Sequence, residues 1–150
     1  MRTLKYPKPA PRPKGIGRRV LASLTVTHRQ LVQKADILWR RLIYAKEPTG
    51  VCPVCRKRPW TDAMHGFAKG RYPSLRFEED NGIPGCRTCH RIIDCDHHAK
   101  LELWRRYIGP ERYEALRLRA QGQGKLDMRL VLMDLEARVA ALPPQPARRA

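Results

Sequence analysis

Apolar residues return at helical spacing early in the chain. Leu31, Ala35, Leu38 and Leu42 lie four, three and four positions apart, which puts them on one face of a helix. Trp39 and Ile43 widen that face, while Arg29, Lys34, Arg40 and Arg41 occupy the other. Thr25 or Thr27 can cap the start, and the run Glu47-Pro48-Thr49-Gly50 ends the pattern, so the spacing predicts a core-packed helix over 27–45. The helical period then lapses. From Cys52 to Pro84 the pattern predicts a Cys-x-x-Cys knuckle, a short strand over 60–64, a basic loop over 68–74 and a second strand over 75–77. Helical signals return after Cys86 and predict helices over 87–108, 110–120 and 125–142, the first with a candidate break over 94–99. Gly109-Pro110 separates the first pair, with Pro110 suited to an opening turn, and Gly122 and Gly124 separate the second. Leu126, Leu130, Met133 and Ala137 mark an apolar face on the last helix. No internal repeat is visible. The sum is an α+β chain whose strands are confined to a cysteine-bearing middle.

Charge adds a partner to this picture. The 150 residues carry 31 Lys+Arg against 14 Asp+Glu, a formal charge of +17. Folding does not require that surplus, whereas attracting a polyanion and releasing its counterions does, so nucleic acid is the expected partner. Over 1–24, Arg2, Lys5, Lys8, Arg12, Lys14, Arg18 and Arg19 interleave with Pro7, Pro9, Pro11 and Pro13, and acids are absent. That composition predicts an extended basic arm that settles on DNA phosphates. The chain thus divides into this arm, a helix over 25–48, a cysteine-bearing core over 49–108, helices over 109–142 and a frayed tail over 143–150. No apolar run nears the roughly 18 residues that span a bilayer, so no membrane partner is expected. Positive charge near the start lacks the apolar segment of a secretory signal, and a reducing cytoplasm is the expected setting.

The cysteines fit that setting. Cys52 and Cys55, then Cys86 and Cys89, are paired Cys-x-x-Cys motifs, the composition of a closed structural Zn²⁺ site rather than of disulfides. Cys95 is left over, and an ordinary buried thiol is its expected role.

A second group carries the candidate chemistry. His65 follows the first predicted strand, Asn81 follows the second, and His90 comes directly after Cys89 at the start of a helix. If that helix is continuous, Asp94 and His97 share a face with His90. A divalent ion, Mg²⁺ or Mn²⁺, held by His90 and a carboxylate would neutralise a phosphate oxygen and the leaving 3′ oxygen. His65 would take the proton of the attacking water, and Asn81 would hydrogen-bond the backbone of the loop carrying His65. His90 is the first ligand, and Asp94, Asp62, His97 and His98 compete for the remainder. Lys69, Arg71 and Arg76 flank the cleft in sequence and are candidate phosphate contacts, with Tyr72 able to stack on a base. Trp104 reads as core, with Arg105 and Arg106 beside it as a possible DNA face.

Taken together, Asn81 and the run Cys86-Arg-Thr-Cys89-His90 resemble the second and third signature elements of zinc-braced HNH (ββα-metal) nucleases. The runs Asp62-Ala-Met-His65-Gly-Phe, Leu75-Arg-Phe-Glu-Glu-Asp-Asn81 and Leu103-Trp-Arg-Arg-Tyr-Ile-Gly109-Pro-Glu resemble the NinG (Rap) family of phage recombination proteins over 52–118. The resemblance implies cleavage of branched DNA such as Holliday junctions and D-loops. Such an enzyme profits from two sites, hence from a homodimer, for which the helix with Leu126, Leu130 and Met133 is the candidate seam. Two departures stand out. Many HNH nucleases carry a metal-binding residue directly before the base histidine, where this chain has Met64. Asp62 is the nearest carboxylate, and strand alternation requires a loop or bulge to bring it to the metal. NinG-like proteins usually place an Asn where this chain has His90. Met64 also favours the rival expectation, a non-catalytic zinc-ribbon DNA-binding accessory protein.

Overall fold

A computed structural model describes residues 26–122 and 124–143. The expected basic arm and all of the expected tail except Pro143 lie outside them. Among the described residues, helix α1 (His28–Ala45) comes first, followed by strand β1 (Asp62–His65), a 3-10 turn (Pro73–Leu75) and strand β2 (Gly82–Gly85). Four helices complete the fold: α2 (Arg87–Cys95), α3 (His97–Ile108), α4 (Pro110–Arg119) and α5 (Met128–Ala140). The architecture is α+β, five helices around one two-stranded antiparallel sheet.

Helix α1 forms where the apolar stripe predicted it. Thr27 closes it with a capping box, in which Gln30 N–H donates to Thr27 Oγ1 and Thr27 N–H donates to Gln30 Oε1. Its buried face, Ala35, Trp39, Leu42 and Ile43, packs on Met128, Leu132, Leu135 and Val139 of α5. That α5 face differs from the expected one: Leu130 is 64% and Met133 is 65% exposed. Apolar residues thus stand on the exposed side of α5 as well, so period alone could not fix its phase. Capping by Asp127, whose carboxylate accepts from Arg129 N–H and Leu130 N–H, starts the helix at Met128.

The strands hold the main correction. Residues 75–77 form no strand: Pro73 opens a 3-10 turn, and Leu75 and Phe77 are buried as core anchors. The second strand is Gly-Ile-Pro-Gly at Gly82–Gly85, a segment with little strand propensity. It is nonetheless fully buried and pairs Asp62 with Gly85 through His65 with Gly82, without a bulge. Its glycines permit a close approach. A Cβ on Gly82 would lie 2.3 Å from Ile43 Cδ1 and 2.6 Å from Trp39 Cζ2.

The sheet separates two apolar groups. Ala63 packs on the α1–α5 side, whereas Met64 and Ile83 join Leu75, Ile93, Leu103, Trp104, Ile108, Tyr113 and Leu116 on the other. The expected helix over 87–108 breaks inside the expected 94–99 stretch: Asp96 leaves the helical backbone (φ −120°, ψ 99°) and caps α3 by accepting from Ala99 N–H at 3.0 Å. His97 is therefore not on the helix that carries His90. Cys95, the last residue of α2, is exposed rather than buried.

Candidate zinc site and candidate active-site cleft

The knuckle before β1 is shaped by its backbone. Cys52 N–H donates to Arg58 O, Arg56 N–H donates to Cys52 O, and Arg56 takes φ +53° to turn the chain directly after Cys55. The second cysteine pair opens α2, with Cys86 as N-cap and Cys89 N–H donating to Cys86 Sγ at 3.5 Å. The Sγ atoms of Cys52, Cys55, Cys86 and Cys89 all lie within 4.8 Å of one another, and Cys55 and Cys86 are 4.0 Å apart. A tetrahedron with Zn–S bonds of about 2.3 Å has edges of about 3.8 Å, so these cysteines could hold a structural zinc ion. Backbone N–H groups of Lys57 and Arg58 help pull the Cys55 thiol down to about 6, as suits a metal thiolate, while burial pushes Cys89 up.

Beside this knuckle, a cleft of about 640 Å³ runs along β1 between α1 and α2. Asp62, His65, His90, Asp94, Lys69 and Lys100 all line it. Asp62 opens β1 opposite Gly85, and α2 begins two residues later, so the first turn of α2 comes to Asp62 directly. Asp62 Oδ2 lies 2.8 Å from His90 Nδ1, and no bulge is needed, contrary to expectation. Asp94 Oδ2 lies 3.2 Å from His90 Nε2, one helical turn on. Carboxylate oxygens only accept, so an imidazole with one N–H can serve just one of the two.

Those distances bear on metal binding. Ligands at adjacent corners of an octahedron with bonds of about 2.1 Å are about 3.0 Å apart, and Asp62 Oδ2 and His90 Nδ1 are separated by 2.8 Å. That separation is the ordinary length of a hydrogen bond and is close to such an edge. Asp94 sits across the other ring nitrogen, so it does not share that edge, and it also accepts from Lys100 Nζ at 2.7 Å. Among the described residues, the cysteines are the group whose ligand atoms already cluster. His97 and His98 are exposed at the start of α3 and do not line the cleft.

His65 is held on both sides. Its ring stacks on Trp39 with centroids 4.2 Å apart. Its Nε2 lies 3.0 Å from Arg76 O, and since a carbonyl only accepts, Nε2 carries the hydrogen and Nδ1 keeps the lone pair. Burial, with Lys69 nearby, lowers its pKa from the ordinary 6.5 to about 4. Met64, by contrast, is 1% exposed and belongs to the core behind the sheet.

Asn81 is wholly buried. Its Oδ1 accepts from Phe67 N–H at 2.7 Å, and its Nδ2 donates to Phe67 O at 3.0 Å and Leu75 O at 2.9 Å. Its own carbonyl accepts from Gly66 N–H. The loop leaving His65 is thereby fastened to the turn that precedes β2.

The basic candidates fare differently. Lys69 lines the cleft. Arg76 instead directs its fork at Asp36, with Nε at 3.0 Å from Oδ1 and Nη2 at 2.6 Å from Oδ2. Arg71 lies over the Tyr72 ring, which packs edge-on against Phe67. Arg105 and Arg106 are exposed on α3, away from this cleft, and Trp104 between them and the core is buried. Sequence reasoning assigned no site role to Trp39, Asp36, Arg87 or Lys100. The signal for Asp36 was an acid among basic residues on α1; for Arg87 and Lys100 nothing set them apart from the other cations. Arg87 Nη1 lies 3.2 Å from Asp62 Oδ2.

Among the described residues no helix is long and apolar enough to cross a membrane. Comparison of the chain with protein-family models, curated proteins and solved structures finds no match.

Proposed function

We propose that this chain is a small HNH-type (ββα-metal) endonuclease, braced by zinc on its four cysteines, that hydrolyses DNA phosphodiester bonds. The observation that carries the proposal is the meeting of Asp62, His65 and His90 in one cleft with Lys69 and Lys100. A lone histidine is most often structural. A neutral histidine, a carboxylate–imidazole pair and two ammonium groups in one hollow are groups that phosphodiester hydrolysis can use.

In this reading Asp62 and His90 would hold the Mg²⁺ or Mn²⁺ ion, with Asp94 and Lys100 steadying the His90 ring from its other side. A bound ion would supply positive charge that offsets the charge developing on the phosphate. His65 accepts the proton of the attacking water at Nδ1, its ring aimed by Trp39 and by the Arg76 carbonyl. Asn81 acts through the loop rather than on substrate. Lys69 contacts phosphate, and the charge of +17 draws the DNA in. Branched recombination DNA is the proposed substrate, on the resemblance to NinG proteins, and the exposed Leu130 and Met133 stripe of α5 supports a homodimer.

Plasmid nicking with Mg²⁺ or Mn²⁺ tests the proposal. The wild type should nick, and His65→Ala should not. Nicking by neither would leave the rival, a zinc-braced DNA-binding protein without chemistry, favoured by the burial of Met64 where a ligand is usual. Equal cleavage of a four-way junction and of its linear arms would remove the branched-substrate claim.

A further inference from the structure

One carboxylate oxygen in the cleft serves two partners. Asp62 Oδ2 lies 2.8 Å from His90 Nδ1 and 3.2 Å from Arg87 Nη1. The carboxylate is nearly enclosed, with 10% of its side chain exposed, whereas the Arg87 side chain is 69% exposed. Asp62 is therefore fixed, and Arg87 is the partner free to swing away. A divalent cation on the Asp62–His90 edge would occupy the same oxygen and repel the guanidinium. Arg87 would then stand in the cleft as an unpaired cation with a planar fork, the geometry that binds phosphate.

We infer that Arg87 is a metal-gated phosphate contact: it guards Asp62 in the cation-free protein and turns to the DNA backbone when the cation takes its place. The inference rests on the nuclease reading above, since it needs the cation at Asp62 and His90. It assigns to this cleft a coupling between cation and DNA, in which each favours the other because both oppose the Arg87–Asp62 pair. Such coupling is reciprocal. Its signature is a pair of effects with opposite signs in one variant. Removing Arg87 removes the competitor for Asp62, so the cation binds more tightly. It also removes the phosphate contact, so DNA binds more weakly, but only where the cation has released the guanidinium.

The test uses the zinc-loaded full chain. Mn²⁺ affinity is titrated without DNA by the electron paramagnetic resonance of free Mn²⁺. Arg87→Ala should bind Mn²⁺ about threefold more tightly than wild type, the scale of an exposed ion pair. DNA affinity is then measured by fluorescence anisotropy in a His65→Ala background, which keeps the substrate intact. There Arg87→Ala should weaken binding about tenfold with Mn²⁺ and less than about twofold without it, the scale of one charged hydrogen bond. Arg91→Ala, an exposed cation on the same helix that does not line the cleft, controls for lost charge and should act equally with and without Mn²⁺. Unchanged or weaker Mn²⁺ binding by Arg87→Ala overturns the inference, as does a DNA penalty of the same size with and without Mn²⁺. A wild type that takes up no Mn²⁺ overturns it too. A wild type that binds Mn²⁺ and cuts nothing defeats the nuclease reading, while the opposite-sign effects of Arg87→Ala still decide the coupling. A wild type that cuts, with Arg87→Ala showing neither effect, defeats the inference alone.

Discussion

The side chain of Asn81 grips the backbone of Phe67 from both ends, accepting from its N–H at 2.7 Å and donating to its carbonyl at 3.0 Å. Phe67 lies two residues past His65, so this grip fixes where the loop leaves β1. Asn81→Ala would leave the Phe67 N–H and the Phe67 and Leu75 carbonyls without that partner, and would open a buried hollow. The expected loss is roughly 3 kcal/mol or more, read by urea denaturation. Asn81→Asp should be no milder, because an oxygen would then face two carbonyls. A loss below about 1 kcal/mol in both variants would mean that water replaces the side chain without penalty.

Gly82 tests the approach of β2 to α1. A Cβ there meets Ile43 and Trp39 at 2.3–2.6 Å. Gly82→Ala should destabilise the fold by about 1–3 kcal/mol, and Ile43→Val in the same chain should recover part of it by removing Cδ1. Additive losses in the double variant, measured by denaturant unfolding, would mean that the strand moves instead.

The second strand was the least legible part of the sequence, and Gly82 explains why. Gly-Ile-Pro-Gly carries almost no strand signal, because its glycines answer to the atoms that pack on them rather than to backbone preference. Leu75 and Phe77 look like a strand because they alternate, yet both are buried from a 3-10 turn and its exit. Helix α1 was legible because its period is clean and Thr27 caps it; α5 was legible as a helix but not in phase, because apolar residues such as Leu130 and Met133 also stand on its exposed side. In the site, spacing alone identified the four cysteines that cluster. Local alternation kept Asp62 away from His90, since it could not reveal that α2 starts right beside the first residue of β1. Arg76, read as a phosphate contact, pairs with Asp36 across 40 residues, a long-range contact that no local pattern encodes.

Zinc removal should uncouple the knuckle from the helix it caps. The protein purified from zinc-supplied cells should hold one zinc ion per chain, and Cys86→Ser should lose it together with much of the thermal stability of the 52–98 region. Chelation of the wild type should have the same effect. Full zinc content and an unchanged melting curve in Cys86→Ser would remove the site.

Acid should act through His65. Its pKa is lowered from 6.5 to about 4 in the folded chain, so the folded state disfavours its protonation. The associated stability is present above pH 6.5 and is lost as the pH falls through about 4, with a size of the order of 3 kcal/mol. Between pH 7 and pH 4, His65→Gln should therefore lose less stability than the wild type, as measured by the urea midpoint. Parallel curves would reject the lowered pKa. In cleavage assays the same shift predicts that protonation of His65 does not slow the reaction between pH 8 and pH 5.5.

Single-turnover nicking of supercoiled plasmid by the zinc-loaded chain, with and without Mn²⁺, in wild type, His65→Ala and His90→Ala, tests the nuclease most directly. The account predicts Mn²⁺-dependent nicking by the wild type and a loss of at least about 100-fold in each variant, the scale of a removed general base or metal ligand. Nicking that survives both substitutions, or a wild type that binds DNA and never cuts it with Mn²⁺ present, would contradict it.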